Sequence, residues 1–147
     1  MPRILGLDYG EKRLGFALSD PTEMLATPFR VVTCRSEQEA LIETVRVCKE
    51  TGAGRLVVGM PINMNGTRGP AAQNVDQFIT KLSKTLAIPI ETWDERLSTK
   101  SAIDVLIEGG ASRKRRKEVV DKLAAQIFLQ NYLDAKAFKH EEQTDDS

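Results

Sequence analysis

The stretch Arg3-Ile4-Leu5-Gly6-Leu7-Asp8 constrains this chain most, because an apolar run too short for a helix leads straight into a carboxylate. Bounded by Pro2 and Gly10, it reads as a strand buried on both faces as far as Asp8. A core strand seldom ends on an acid unless that acid holds something. A second apolar run, Leu14-Gly15-Phe16-Ala17-Leu18, follows after the turn-forming residues Tyr9 to Arg13 and predicts an antiparallel hairpin. Asp8 is then expected at the open rim of a sheet.

Phe29 to Thr33 reads as a third strand completing a meander. Beyond it Ser36 with Glu39 forms a capping box for a helix ending near Gly52, with Leu41, Val45 and Cys48 as its inward stripe. From there the pattern changes to crossovers. Leu56 to Met60 is a continuous apolar strand suited to a parallel sheet and stopped by Pro61. A helix from Pro70 to about Leu86 would face Val75, Phe78, Ile79 and Leu82 inward. Pro89 to Trp93 is the last strand, delivering Asp94-Glu95-Arg96 to the same rim as Asp8. Because side chains alternate along a strand, Asp94 and Glu95 cannot both serve one site. A further helix with Ala102, Val105 and Leu106 inward closes at Gly109-Gly110, and a final helix is expected from about Glu118 to Phe138. Asp121, Ala125, Phe128 and Tyr132 fall on one face of that helix, and the small Ala124 and Ala125 would let it sit close to the sheet. Asp121 either interacts with the helix dipole or is carried toward Asp8.

Composition limits the chemistry. The single histidine, His140, lies in a polar tail, which argues against Ser-His-Asp, Cys-His and His-rich metal sites. Cys34 and Cys48 lack metal-ligand spacing and are expected as buried free thiols. Catalysis must then run on carboxylates, Lys and Arg, or a metal. The formal charge is zero, from 21 basic and 21 acidic residues, but Glu141, Glu142, Asp145 and Asp146 are concentrated in the tail. The rest carries 21 basic against 17 acidic residues, a net +4, with its densest run at Arg113-Lys114-Arg115-Arg116-Lys117. That run is either a solvated helix start or a contact for a phosphodiester backbone. The loop after the fourth strand offers Asn63, Asn65, Thr67 and Arg68 as substrate contacts at the carboxyl edge, or else as turn formers with Thr67 capping the next helix. No apolar stretch approaches the roughly 20 residues of a membrane span, and the N-terminus does not resemble a signal peptide, so a cytoplasmic protein is expected. One domain over residues 1–139 and an acidic, disordered tail over 140–147 account for the length.

The expected topology gathers Asp8, Glu95 and Asp121. Three carboxylates in one place repel unless a cation lies between them, and without His or Cys ligands the expected ion is Mg²⁺ or Mn²⁺. A pair of such ions about 4 Å apart serves phosphodiester hydrolysis.

The segments Leu5-Gly6-Leu7-Asp8-Tyr9-Gly10-Glu11-Lys12-Arg13-Leu14-Gly15, Val58 to Thr67, Asp94-Glu95-Arg96-Leu97-Ser98-Thr99 and Asp121-Lys122-Leu123-Ala124-Ala125 together resemble the YqgF (RuvX-like) family of RNase H-like nucleases. The resemblance implies an α/β RNase H-like fold: a five-stranded mixed sheet in order 3-2-1-4-5, three antiparallel then two parallel strands, with helices on both faces. It implies a catalytic, metal-binding triad of Asp8, Glu95 and Asp121. It also implies action on structured RNA, at the 5′ end of the precursor of 16S ribosomal RNA and in association with ribosomal particles, or on branched DNA as a Holliday junction resolvase. Lys12, Arg13, Arg68, Arg96 and the run Arg113, Lys114, Arg115 and Arg116 are our candidates for the phosphate backbone. A monomer or weak homodimer is expected. Two other classes compete: an actin-like nucleotide hydrolase, for which only half the usual domain pair is present, and a ribosome-associated binding module without activity.

Overall fold

The computed structural model describes residues 3–62, 65–94 and 123–137. Strands β1 (Ile4–Tyr9), β2 (Arg13–Ser19), β3 (Ala26–Thr33), β4 (Arg55–Met60) and β5 (Ile90–Asp94) form one sheet in the order β3-β2-β1-β4-β5. Pairing is antiparallel between β1 and β2 and between β2 and β3, and parallel from β1 to β4 and from β4 to β5. Helices α1 (Glu37–Thr51) and α2 (Pro70–Leu82) make the two described crossovers, and a third, α3, covers residues 123–137. The mixed sheet and its strand order agree with the expected RNase H-like topology. The helix anticipated around Ala102, Val105 and Leu106 lies outside the described residues.

Strand alternation divides the core into two layers. Leu5 and Leu7 of β1, Leu14, Phe16 and Leu18 of β2, and Leu56, Val58 and Met60 of β4 pack with α1 and α2. Ile4, Ala17 and Val57 face the other way, onto Ala125, Phe128, Leu129, Tyr132 and Leu133 of α3. Both cysteines are buried and free, as their lack of ligand spacing predicted.

Several local expectations need correction. The third strand starts at Ala26 rather than Phe29: Ala26 pairs with Ser19, and a register shift between Phe16 and Ala17 accommodates Pro28 on this edge strand. The buried face of α1 is Ala40, Thr44, Val47 and Cys48, while Leu41 and Val45 are only partly covered. Small residues let α1 sit close, and the Thr44 hydroxyl donates to the Ala40 carbonyl at 2.8 Å, satisfying its polar atom. The ends of α1 agree with the sequence: Ser36 accepts from the Glu39 amide, and Gly52 closes the helix in the left-handed region. Helix α2 ends at Leu82, after which Lys84 and Thr85 donate to carbonyls three residues back. Its N-cap is Gly69, not Thr67. The last strand extends one residue further than Trp93, to Asp94.

Candidate active site at the carboxyl rim of the sheet

Strands β1, β4 and β5 run parallel and end at Tyr9, Met60 and Asp94, so their carboxyl ends share one rim. Asp8 lies there, half-buried. Alternation places it with Ile4 and Gly6 on the α3 face, whereas Tyr9 turns to the opposite layer and stacks on Phe78, ring centroids 4.2 Å apart. That stack anchors the end of β1, and burial, with Glu37 and Cys34 adding to it, pushes the Tyr9 hydroxyl above its ordinary pKa.

On either side of Asp8 the sheet supplies no side chain. Asp8 pairs with Gly15 of β2, and Gly59 follows Val58, the partner of Leu7 in β4. Gly59 in turn pairs with Trp93 of β5. One rank across the α3 face therefore reads Gly15, Asp8, Gly59, Trp93. Neither strand bordering β1 places a β-carbon beside the carboxylate. Trp93 packs into the α3 layer and meets the Tyr132 ring edge to face at 5.7 Å.

The turn from β1 to β2 is tight. Gly10 donates its amide to the Arg13 carbonyl at 3.0 Å, and a β-carbon at Gly10 would lie 2.9 Å from that oxygen, so only glycine fits. Lys12 is exposed on this turn, and its carbonyl accepts the Cys34 amide at 2.8 Å, tying the turn to the exit of β3. Arg13 opens β2 opposite Thr33. Arg35, which the sequence reading did not single out, follows Cys34 and is exposed on the same rim. Its signal was faint, a lone cation after a strand.

The loop before α2 is partly structured. Asn65 Oδ1 accepts the Thr67 amide at 3.1 Å and the Thr67 hydroxyl at 2.6 Å, an Asx-type turn that supports the turn-forming reading of Asn65. Arg68 is turned back onto α2, where its guanidinium pairs with Asp76, and its Nη2 lies 3.6 Å from Met60 Sδ. Asn63, Glu95, Arg96, Arg113, Lys114, Arg115, Arg116 and Asp121 lie outside the described residues. Among the described residues no three metal-ligating side chains of the His, Cys, Asp and Glu types gather.

Helix α3 is held over Asp8's face by two polar clamps that sequence patterning did not reveal. Toward β3, Gln126 Nε2 donates to the Ala26 carbonyl at 3.2 Å and Gln130 Oε1 accepts the Ala26 amide at 2.9 Å. Toward β5, the Tyr132 hydroxyl donates to Glu91 at 2.7 Å and accepts from Arg55 at 3.1 Å, while Arg55 and Glu91 pair directly. Burial, reinforced by Glu91, raises the Tyr132 hydroxyl pKa. Both clamps draw on long side chains whose partners are remote in sequence.

A family model described as RuvX, Holliday junction resolvase, matches residues 2–135. The chain belongs to the RuvX family. A protein of Syntrophomonas wolfei named "Putative pre-16S rRNA nuclease" is 47% identical over 132 residues, covering 90% of this chain and 94% of that protein. One of the same name from Symbiobacterium thermophilum is 47% identical over 135 residues, covering 92% and 94%. Among solved structures, Thermus thermophilus RuvC in complex with a Holliday junction substrate superposes with a TM-score of 0.56 at 16% identity, covering 93% of this chain and 96% of that one. The fowlpox virus Holliday junction resolvase gives 0.53 at 14% identity, covering 90% and 99%. These structural likenesses establish the shared fold of this RuvX member. Among the described residues no helix is long and apolar enough to cross a membrane.

Proposed function

We propose that this RuvX-family chain is a metal-dependent nuclease hydrolysing phosphodiester bonds, acting in the cytoplasm on the 5′ end of pre-16S ribosomal RNA during ribosome assembly. One observation carries the reading: the central strand carries Asp8 at its carboxyl end, between two glycines on the face that α3 covers. The names of its relatives give the substrate class.

The same geometry supports Glu95 and Asp121 as the remaining acids. Glu91 and Trp93 lie on the α3 face, which supports the reading of Glu95, two residues further along the sequence, as a partner of Asp8. Helix α3 has Ala125 beside Gly6 and Tyr132 beside Arg55 at the start of β4. That direction, with the helix start nearer the carboxyl rim, supports the reading of Asp121, four residues before Ala125 in sequence, as the third acid. All three acids are hard oxygen donors, and glycine on both sides of Asp8 suits an ion with its own waters. When bound, Mg²⁺ or Mn²⁺ held by Asp8, Glu95 and Asp121 supplies water activation at neutral pH and charge compensation on the leaving oxygen. Lys12 and Arg13 hold the phosphate backbone from the hairpin turn, with Arg96 and the run Arg113, Lys114, Arg115 and Arg116 extending that hold. Asn63, Thr67 and Arg68, in the loop that follows β4 in sequence, are further candidate substrate contacts.

A second reading, cleavage of branched DNA, is favoured by the family's description and by the fold shared with junction resolvases. Cutting both strands of a junction requires two sites and hence a dimer. Labelled pre-16S RNA and a four-way DNA junction incubated with the chain and Mn²⁺ or Mg²⁺ separate the two. Cleavage of the RNA, abolished in Asp8→Asn, is expected; cutting that survives Asp8→Asn would refute the site.

A further inference from the structure

Trp93 is the chain's single tryptophan. Its ring is held against the α3 layer and against Tyr132, yet its Nε1–H is buried and has no acceptor among the described residues. The neighbouring Tyr132 hydroxyl, which donates to Glu91 and accepts from Arg55, is not its acceptor either. A buried donor without a partner is uncommon in folded proteins and calls for an account, an ion or ordered water among them. An indole N–H can only donate, so whatever meets it must present an oxygen or another acceptor.

The rank across the sheet supplies a candidate. Within the sheet, Gly59 is the residue between Trp93 and Asp8, so no β4 side chain separates the indole from the carboxylate on this face. Two strand spacings put the two backbones roughly 10 Å apart, and the unpartnered Nε1–H does not reach the carboxylate directly. A carboxylate–ion bond of about 2.1 Å, an ion–water bond of similar length and a hydrogen bond of about 2.9 Å in series cover most of that gap, and the side chains themselves cover the rest.

We propose that Trp93 Nε1–H donates to the hydration shell of the divalent cation at Asp8, which makes Trp93 a positioning residue for that cation. The inference rests on the preceding reading that Asp8 is a metal ligand. Donors of this kind fix the orientation of coordinated groups and tune affinity without touching the ion.

The test uses the full chain labelled with ¹⁵N, in which one indole Nε1–H cross-peak exists, titrated with MgCl₂ alone. The cross-peak is expected to move along a saturable curve whose midpoint matches that of Mg²⁺ binding measured by calorimetry. Asp8→Asn should abolish both. Trp93→Phe, which keeps a ring against Tyr132, is expected to weaken Mg²⁺ binding about tenfold while the unfolding midpoint without metal changes little. Asp8-dependent Mg²⁺ binding with a stationary indole peak would overturn the role of Trp93 and leave the metal site intact. Absence of any Asp8-dependent Mg²⁺ binding would overturn both. If Trp93→Phe does not fold, the cross-peak of the unmodified chain still decides.

Discussion

Gly6 and Leu129 set the distance between β1 and α3: a β-carbon added at Gly6 would stand 3.1 Å from Leu129 Cβ and 3.3 Å from Leu129 Cδ2. The Ala125 carbonyl oxygen lies just behind, at 3.5 Å from the same point. Gly6→Val therefore pushes the helix outward two residues before Asp8. Overpacking of this kind costs about 1–3 kcal/mol. Urea denaturation should show a lowered midpoint with an unchanged slope, Gly6→Ala giving the smaller effect, and Mg²⁺ affinity should fall with it.

Tyr132→Phe removes one hydroxyl while keeping the ring that Trp93 meets edge to face. Glu91 and Arg55 lose their shared partner but retain each other. A loss of about 1–2 kcal/mol is expected, the worth of hydrogen bonds to partly buried charged groups. Thermal unfolding of Tyr132→Phe beside Arg55→Met separates the hydroxyl from the ion pair. Equal losses in the two variants would contradict the bridging role.

Asp20 organises the turn between β2 and β3. Its Oδ1 accepts the Met24 amide at 2.8 Å and the Leu25 amide at 3.0 Å, and its Oδ2 accepts the Thr22 hydroxyl. The Thr22 hydroxyl first, then the Leu25 amide, lower its pKa to about 2. A depressed pKa means that the carboxylate's hold is present above the unfolded value, about 3.9, and is lost as pH falls through about 2. Amide exchange at Met24 and Leu25, corrected for its intrinsic pH dependence, should show protection fading across that window. Asp20→Ala should lack the protection at every pH.

Cys48 is buried in the layer under α1, and that burial raises its thiol pKa to about 11. The unfolded thiol ionises near 8.5, so its contribution to stability is full below that value and is lost as pH rises toward about 11. Tm measured between pH 8 and 11 should decline less steeply in Cys48→Ala than in the unmodified chain. Alkylation by iodoacetamide at pH 8 should be slow when folded and fast in urea.

Much of this architecture is legible without coordinates, because the signals are local. The Ser36–Glu39 box, Gly52 and the apolar run from Leu56 to Met60 each declare their element through backbone chemistry within a few residues. Asp8 at a rim followed from a carboxylate ending an apolar run. What escaped was whatever depends on two segments meeting. Gly15 and Gly59 acquire meaning only once register sets them beside Asp8 and Trp93. Gln126 and Gln130 are unremarkable polar residues until Ala26 arrives a hundred residues away in sequence. On α1 the apolar stripe pointed to Leu41 and Val45, but the sheet is approached through Ala40 and Thr44, since close approach favours small side chains over large ones.

The alternation that carries Ile4, Gly6 and Asp8 to one layer and Leu5 and Leu7 to the other has a genetic corollary. Deleting or inserting a single codon between Gly6 and Asp8 would roll the acid into the oily interior beneath α2 and expose a leucine at the rim. Point substitutions in this strand can be graded by size, but a change in its length is all or nothing. Single-codon insertions and deletions across residues 4–9 should therefore be missing from any library selected for a working enzyme.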